Sequence, residues 1–213
     1  LSDLVIDNNL VIAKDFLGAA YLPEYNFNGI GDLAPGQGYQ IKTNISGIIQ
    51  YLSNDDSYRI SSISSSNNTT LHFSPLLPTD NNMTIVIPSS SWDVLPEIGA
   101  EISIFSPNGK IVGVGLYNEP TTVISVWGDD GTTDNKEGLL NGENIRMELW
   151  NTKETKILTV SNWIDGSGQY ISNDIQVVGD LVSNVIYSRE ISLFDASPNP
   201  STDHTELSFE IHE

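Results

Sequence analysis

The sequence predicts an all-β protein: a β-sandwich with a smaller β-rich unit in front of it. Three observations predict this. Short runs rich in Val, Ile, Thr, Tyr and Trp alternate apolar with polar residues. Clusters of Gly, Pro, Asn, Asp and Ser separate the runs. Helical periodicity is nearly absent, and its best candidate is a turn or two within 2–13, where the apolar spacing is irregular.

Residues 1–52 make the smaller unit. Strands are predicted at 10–13, followed by Lys14 and Asp15, and at 19–22 after Gly18. A loop over 23–30 leads to GDLAPGQGYQIK at 31–42. Pro35 and Gly36 signal a turn, Gly38 permits close backbone approach, and Tyr39 and Ile41 alternate with Gln40 and Lys42 in a strand.

Residues 53–81 read as a connector or a polar edge strand, because Ser, Asn and Thr dominate and SSISSSNNTT occupies 61–70. Leu71, Phe73, Leu76 and Leu77 are expected to anchor its far end. Residues 82–192 then carry the sandwich. Its strands are predicted at 84–87, 101–105, 110–117, 123–127, 145–150, 156–163 and 170–178. Pro107, Asn108 and Gly109 turn the second of these into the third as a hairpin. That number of short strands over a stretch of this length fits a sandwich. Residues 193–213 read as a linker and the start of a further domain.

Composition limits the function. The chain has 28 Asp and Glu against 9 Lys and Arg, a net charge of −19. Phosphate binding needs clustered cations, so neither nucleic acid nor an anionic membrane surface is an expected partner. There is no cysteine, which excludes disulfides, zinc–thiolate sites and thiol catalysis. No run approaches 18 apolar residues, so no membrane span is expected. No signal peptide is recognisable, and Leu1 reads as an internal position of a longer exported polypeptide.

One segment is a candidate metal site. Asp129, Asp130, Asp134 and Glu137 place four carboxylates in nine residues, spaced by Gly131, Thr132, Thr133 and Asn135. A hard cation takes oxygen ligands, so this loop is a candidate Ca2+ site. The spacing is not that of an EF-hand. The alternative is a solvated turn whose side chains cap its own N–H groups.

Other chemistry is less well supported by the residues. Glu97, Glu101, Glu119, Glu143 and Glu148 are available for paired-carboxylate hydrolysis, but only Glu148 lies inside a strand pattern. His72, His204 and His212 show no metal or triad spacing and read as surface or edge residues. No G-x-S-x-G occurs. Gly36-Gln37-Gly38 has no following helix to cradle a phosphate. Among the tryptophans, Trp127 and Trp150 end apolar runs and are expected in the core. Trp92, after three serines, and Trp163, before Asp165 and Gly166, lie nearer loops and are the expected ligand-binding residues.

Resemblances to known families add a location. SPNPSTDHTELSFEI at 197–211 sets Pro198 and Pro200 about Asn199, then a polar turn, then the alternating Leu207, Phe209 and Ile211. It resembles the opening of the C-terminal sorting domain of type IX secretion cargo in Bacteroidetes. KDFLGAAYLPEYNFNGIGDLAPGQGYQIK at 14–42 resembles a repeat-like module found beside such domains in large surface proteins of that group, without the module's N-terminal strands. The second unit, with its Trp-Gly-Asp-Asp loop, resembles the domain that often follows that module. The resemblances imply a secreted or surface-located protein whose partner is the type IX secretion machinery. The expected function is a non-enzymatic binding or adhesion module for a glycan or cell-surface ligand. The alternative is a structural spacer, or an accessory carbohydrate-binding region of a larger secreted hydrolase.

Overall fold

The computed structural model describes residues 9–34, 36–48, 72–74, 78–185, 190–194, 203 and 209–212. The described chain is all-β and sandwich-like, with no α-helix among these residues. Two of its sheets pack face to face.

The smaller sheet holds β1 (Leu10–Asp15), β2 (Ala20–Leu22), β3 (Phe27–Asn28) and β4 (Tyr39–Thr43) in the order β3-β2-β1-β4, all antiparallel. Asp15 closes the turn from β1 to β2, because its Oδ1 accepts the backbone N–H groups of Leu17 and Ala19, both at 2.9 Å. Such local side-chain acceptors are why Asp favours turns. The strand expected at 10–13 is present as β1, where Leu10 and Ile12 alternate onto a buried face, while the helical candidate lies mostly outside the described residues. Residues 1–8 and Pro35 lie outside the described residues.

The larger sheet holds β5 (Asn82–Pro88), β6 (Glu101–Phe105), β7 (Ile111–Leu116), β8 (Thr121–Trp127), β9 (Arg146–Trp150), β10 (Thr155–Asp165) and β11 (Ile175–Val185). Their order is β7-β6-β9-β10-β11-β5-β8. Every pairing is antiparallel except β11 with β5. The expected hairpin at 101–117 is present, closed by Ser106 N–H to Lys110 O at 2.9 Å. The sheet curls until its end strands meet: a side chain at Gly113 of β7 would stand 2.7 Å from the Ser125 carbonyl oxygen of β8. Glycine allows that approach. The curl encloses one apolar core, drawn from Met83, Ile85, Ile102, Ile104, Ile124 and Leu149 among others.

Strand β5 is buried on both faces. Met83, Ile85 and Ile87 enter the enclosed core, while Val86 faces the small sheet. Ile12, Ala20 and Leu22 pack there against Val86, Ile175 and Val177. A strand covered on both sides reads as a continuous apolar run rather than an alternation, as TIVI does here.

The seventh expected strand is displaced along the chain. Tyr170 sits in a loop, and β11 begins only at Ile175, after a turn in which Asp174 N–H donates to Ile171 O at 3.1 Å and Asn173 takes a φ of 61°. The anticipated connector lies outside the described residues except at 72–74 and 78–81. Within it Phe73 is buried, as an anchor should be, while Leu71, Leu76 and Leu77 lie outside the described residues. A last ladder pairs β12 (Glu190–Leu193) with β13 (Phe209–His212). The Pro-Asn-Pro segment before β13 lies outside the described residues, as does His204.

Candidate functional site

The four tryptophans separate into two buried residues, Trp92 and Trp127, one on the outer face, Trp150, and one in a cleft, Trp163. Trp92 is only 8 % exposed, packs in the enclosed core and meets Tyr117 edge-on at 5.5 Å. The surface role anticipated for Trp92 is corrected by this burial. The short turn formed by Ser89–Ser91 rolls the chain inward, and Trp92 bridges to Leu181 of β11. Trp127 is buried as expected. Trp150 is half-buried on the outer face, where the His72 ring stacks on it at 4.4 Å.

Trp163 lines a cleft, and the backbone explains why. Strands β9 and β10 pair from Trp150↔Thr155 only as far as Met147↔Leu158. Beyond that point β10 stays with β11, while the chain before β9 turns away to Gly168, whose O accepts the Ile145 N–H at 3.0 Å. The two strands therefore split. Register shifts along β10 between Val160 and Asp165 break strict alternation, so Trp163 joins Val160 on the side that touches the core. Bulges re-aim side chains in this way.

The opening has a volume of about 350 Å³. Trp163, Ile145 and Val160 give it apolar wall, and Asn144, Arg146 and Ser167 give it polar rim. That size and mixture suit a small ligand. Arg146 is oriented by an ion pair with Glu148 and by its guanidinium, which lies 4.5 Å from the centre of the Phe105 ring. Among the described residues no carboxylate lines the cleft, although the chain carries a net charge of −19. The rim is held from beneath by buried Gln176. Its Oε1 accepts the N–H groups of Ser167 at 3.2 Å and Gly168 at 2.9 Å, and its Nε2 donates to Gln169 O at 2.6 Å. Sequence reasoning found Trp163 but missed Asn144, Arg146, Ser167 and Gln176. The Asp-Gly-Ser-Gly turn after β10 was the available signal for the rim.

Two carboxylates of the acidic loop, those of Asp129 and Asp130, bond the loop itself. Asp130 Oδ1 accepts the Thr132 hydroxyl at 2.7 Å and the Thr132 N–H at 2.8 Å, and these bonds hold its carboxyl below the usual aspartate range. Asp129 Oδ1 accepts the Glu137 N–H at 2.9 Å. Asp134 is exposed, and Glu137 contributes its backbone O, which accepts from Lys110 Nζ at 2.6 Å. Among the described residues no group of three or more His, Asp or Glu side chains is gathered in the way a metal site gathers them. At the base of the loop, Gly128 and Gly138 approach too closely for side chains, and the Tyr170 phenol abuts Gly128. Burial pushes that phenol up to about 12. Lys136 pairs with Glu143 at 2.5 Å and lowers its carboxyl from the ordinary glutamate value.

The candidate acids for hydrolysis have other partners. Glu101 is 3 % exposed and accepts the backbone N–H groups of His72 and Phe73 at 3.0–3.1 Å. Glu148 pairs with Arg146, and Glu119 accepts from the Tyr117 hydroxyl at 3.3 Å.

No described helix is long and apolar enough to cross a membrane. No family model, curated protein or solved structure matches the chain.

Proposed function

We propose that this chain is a non-enzymatic binding module that acts at the cell surface or beyond it, and that it takes a neutral or anionic glycan in the cleft beside Trp163. The observation that carries the reading is the split between β9 and β10, which opens an aromatic cleft with no carboxylate among its described lining residues in a strongly acidic chain. An indole ring offers a sugar a stacking surface, and Asn144, Arg146 and Ser167 supply hydrogen-bond donors around it. A rigid sheet holding such a rim suits recognition without bond making. Export by the type IX route is part of the same proposal and rests on the resemblance at 197–211.

A glycan array probed with the full chain tests it. Binding to at least one glycan class is expected, with a loss of tenfold or more for Trp163→Ala. No binding to any glycan, or binding that Trp163→Ala leaves unchanged, would overturn the assignment of this cleft.

A further inference from the structure

Among the polar contacts between the two packed sheets, one joins two buried side chains and plays no part in the binding function. Lys14 Nζ, from β1, donates to Asn82 Oδ1, from β5, at 2.7 Å. Both side chains are buried, at 4 % and 7 % exposure, and they lie 68 residues apart in sequence. In a chain with 28 acidic residues, Lys14 has no carboxylate within ion-pair distance among the described residues. Burial, with a smaller contribution from the Lys42 charge, lowers its ammonium to about 8. A lysine in such a setting readily gives up its proton, and a neutral amine is a nucleophile.

We propose that Lys14 and Asn82 are joined by an isopeptide bond formed within the folded chain. The neutral Lys14 Nζ attacks Cγ of the Asn82 carboxamide, forming the Nζ–Cγ bond. The Cγ–Nδ2 bond breaks, an amine proton passes to the departing nitrogen, and ammonia leaves. The product is a secondary amide, and no oxidant, reductant or metal takes part. Folding supplies the driving arrangement, since the two groups are held in contact by strands of different sheets. Asn82 also lines a cavity of about 350 Å³ with Asp15 and Asp80, which gives ammonia an exit and places carboxylates along it for proton transfer. A cysteine-free chain would thereby gain a covalent tie between its sheets that a reducing environment leaves intact.

The test is the intact mass of the purified full chain. The expected value is lower than the sequence mass by one ammonia, and a protease digest yields a branched peptide joining the Lys14 and Asn82 segments. Lys14→Arg and Asn82→Ala should each return to their full sequence masses. A wild-type mass equal to the sequence mass, with both segments recovered as linear peptides, overturns the proposal. So does an ammonia loss that persists in Lys14→Arg, which would place it at a succinimide elsewhere. The wild-type measurement decides the matter even where a variant folds poorly.

Discussion

The Glu101 carboxylate accepts the backbone N–H of Phe73 at 3.0 Å, so a buried acid on β6 holds down the chain segment that crosses the outer face of the sheet. Phe73 itself meets Phe105 edge-on at 6.2 Å, and its neighbour His72 covers Trp150. Removing the acid strands buried donors, which costs more than the bond itself contributes. Glu101→Ala should therefore lower stability by about 2–3 kcal/mol in urea unfolding, and Glu101→Gln by less, because it keeps an acceptor. Equal losses for the two variants would show that packing, not hydrogen bonding, fixes this segment.

Gly128 tolerates no side chain. Gly128→Ala would drive a methyl group into the Tyr170 phenol and press the acidic loop off its base. A loss of roughly 1–3 kcal/mol is expected, as for other overpacked sites. Tyr170→Phe in the same chain should recover part of it, and a thermal-melt double-mutant cycle measures the coupling.

Alkaline pH should weaken the fold through Tyr170. Its phenol is raised from 10.0 to about 12 in the folded state. Below pH 10 both states are protonated and nothing is lost. Between pH 10 and 12 the unfolded chain ionises first, so unfolding is favoured increasingly as pH rises, by up to roughly 2–3 kcal/mol. Stability followed across this range should fall more steeply in the wild type than in Tyr170→Phe.

Much of the fold was legible in the sequence, and the reasons are local. The 101–117 hairpin follows from Pro107, Asn108 and Gly109 between two alternating runs, and the structure places it within a residue or so at each end. Strand β11 was misplaced because Tyr170 and Ile171 look like strand residues, while the turn at Asn173 and Asp174 that delays the strand is weakly marked. The cleft was half legible. Trp163 stood out by residue type, but the divergence of β9 from β10 is a pairing event between distant segments, and the register shifts that turn the ring inward have no sequence sign. Lys14 was overlooked although period-two alternation puts it on the face of Leu10 and Ile12; a terminal charge on a strand is ordinarily read as solvent-facing.

Gln176 should govern the cleft without touching its ligand. Gln176→Ala removes the acceptor beneath Ser167 and Gly168 and frees the rim. A buried amide lost in this way costs about 1–3 kcal/mol. Hydrogen exchange should rise at 167–169 first, and glycan affinity should fall with it. Unchanged exchange there would mean that the rim is held by other contacts.

The two tryptophan variants should part company. Trp92→Ala empties a core position and should cost about 3–5 kcal/mol. Trp163→Ala should cost less and act chiefly on ligand. Chemical denaturation of both, run beside the glycan assay, separates the roles.

Because β5 is walled in by apolar neighbours on its two sides, the molecule has no seam along which it can be safely divided. A recombinant piece starting near Asn82 would lay bare Val86, Ile175 and Val177 as an oily flank, and such pieces tend to stick to one another in the test tube. Anyone trimming this protein for crystallisation or display should keep the opening strands attached.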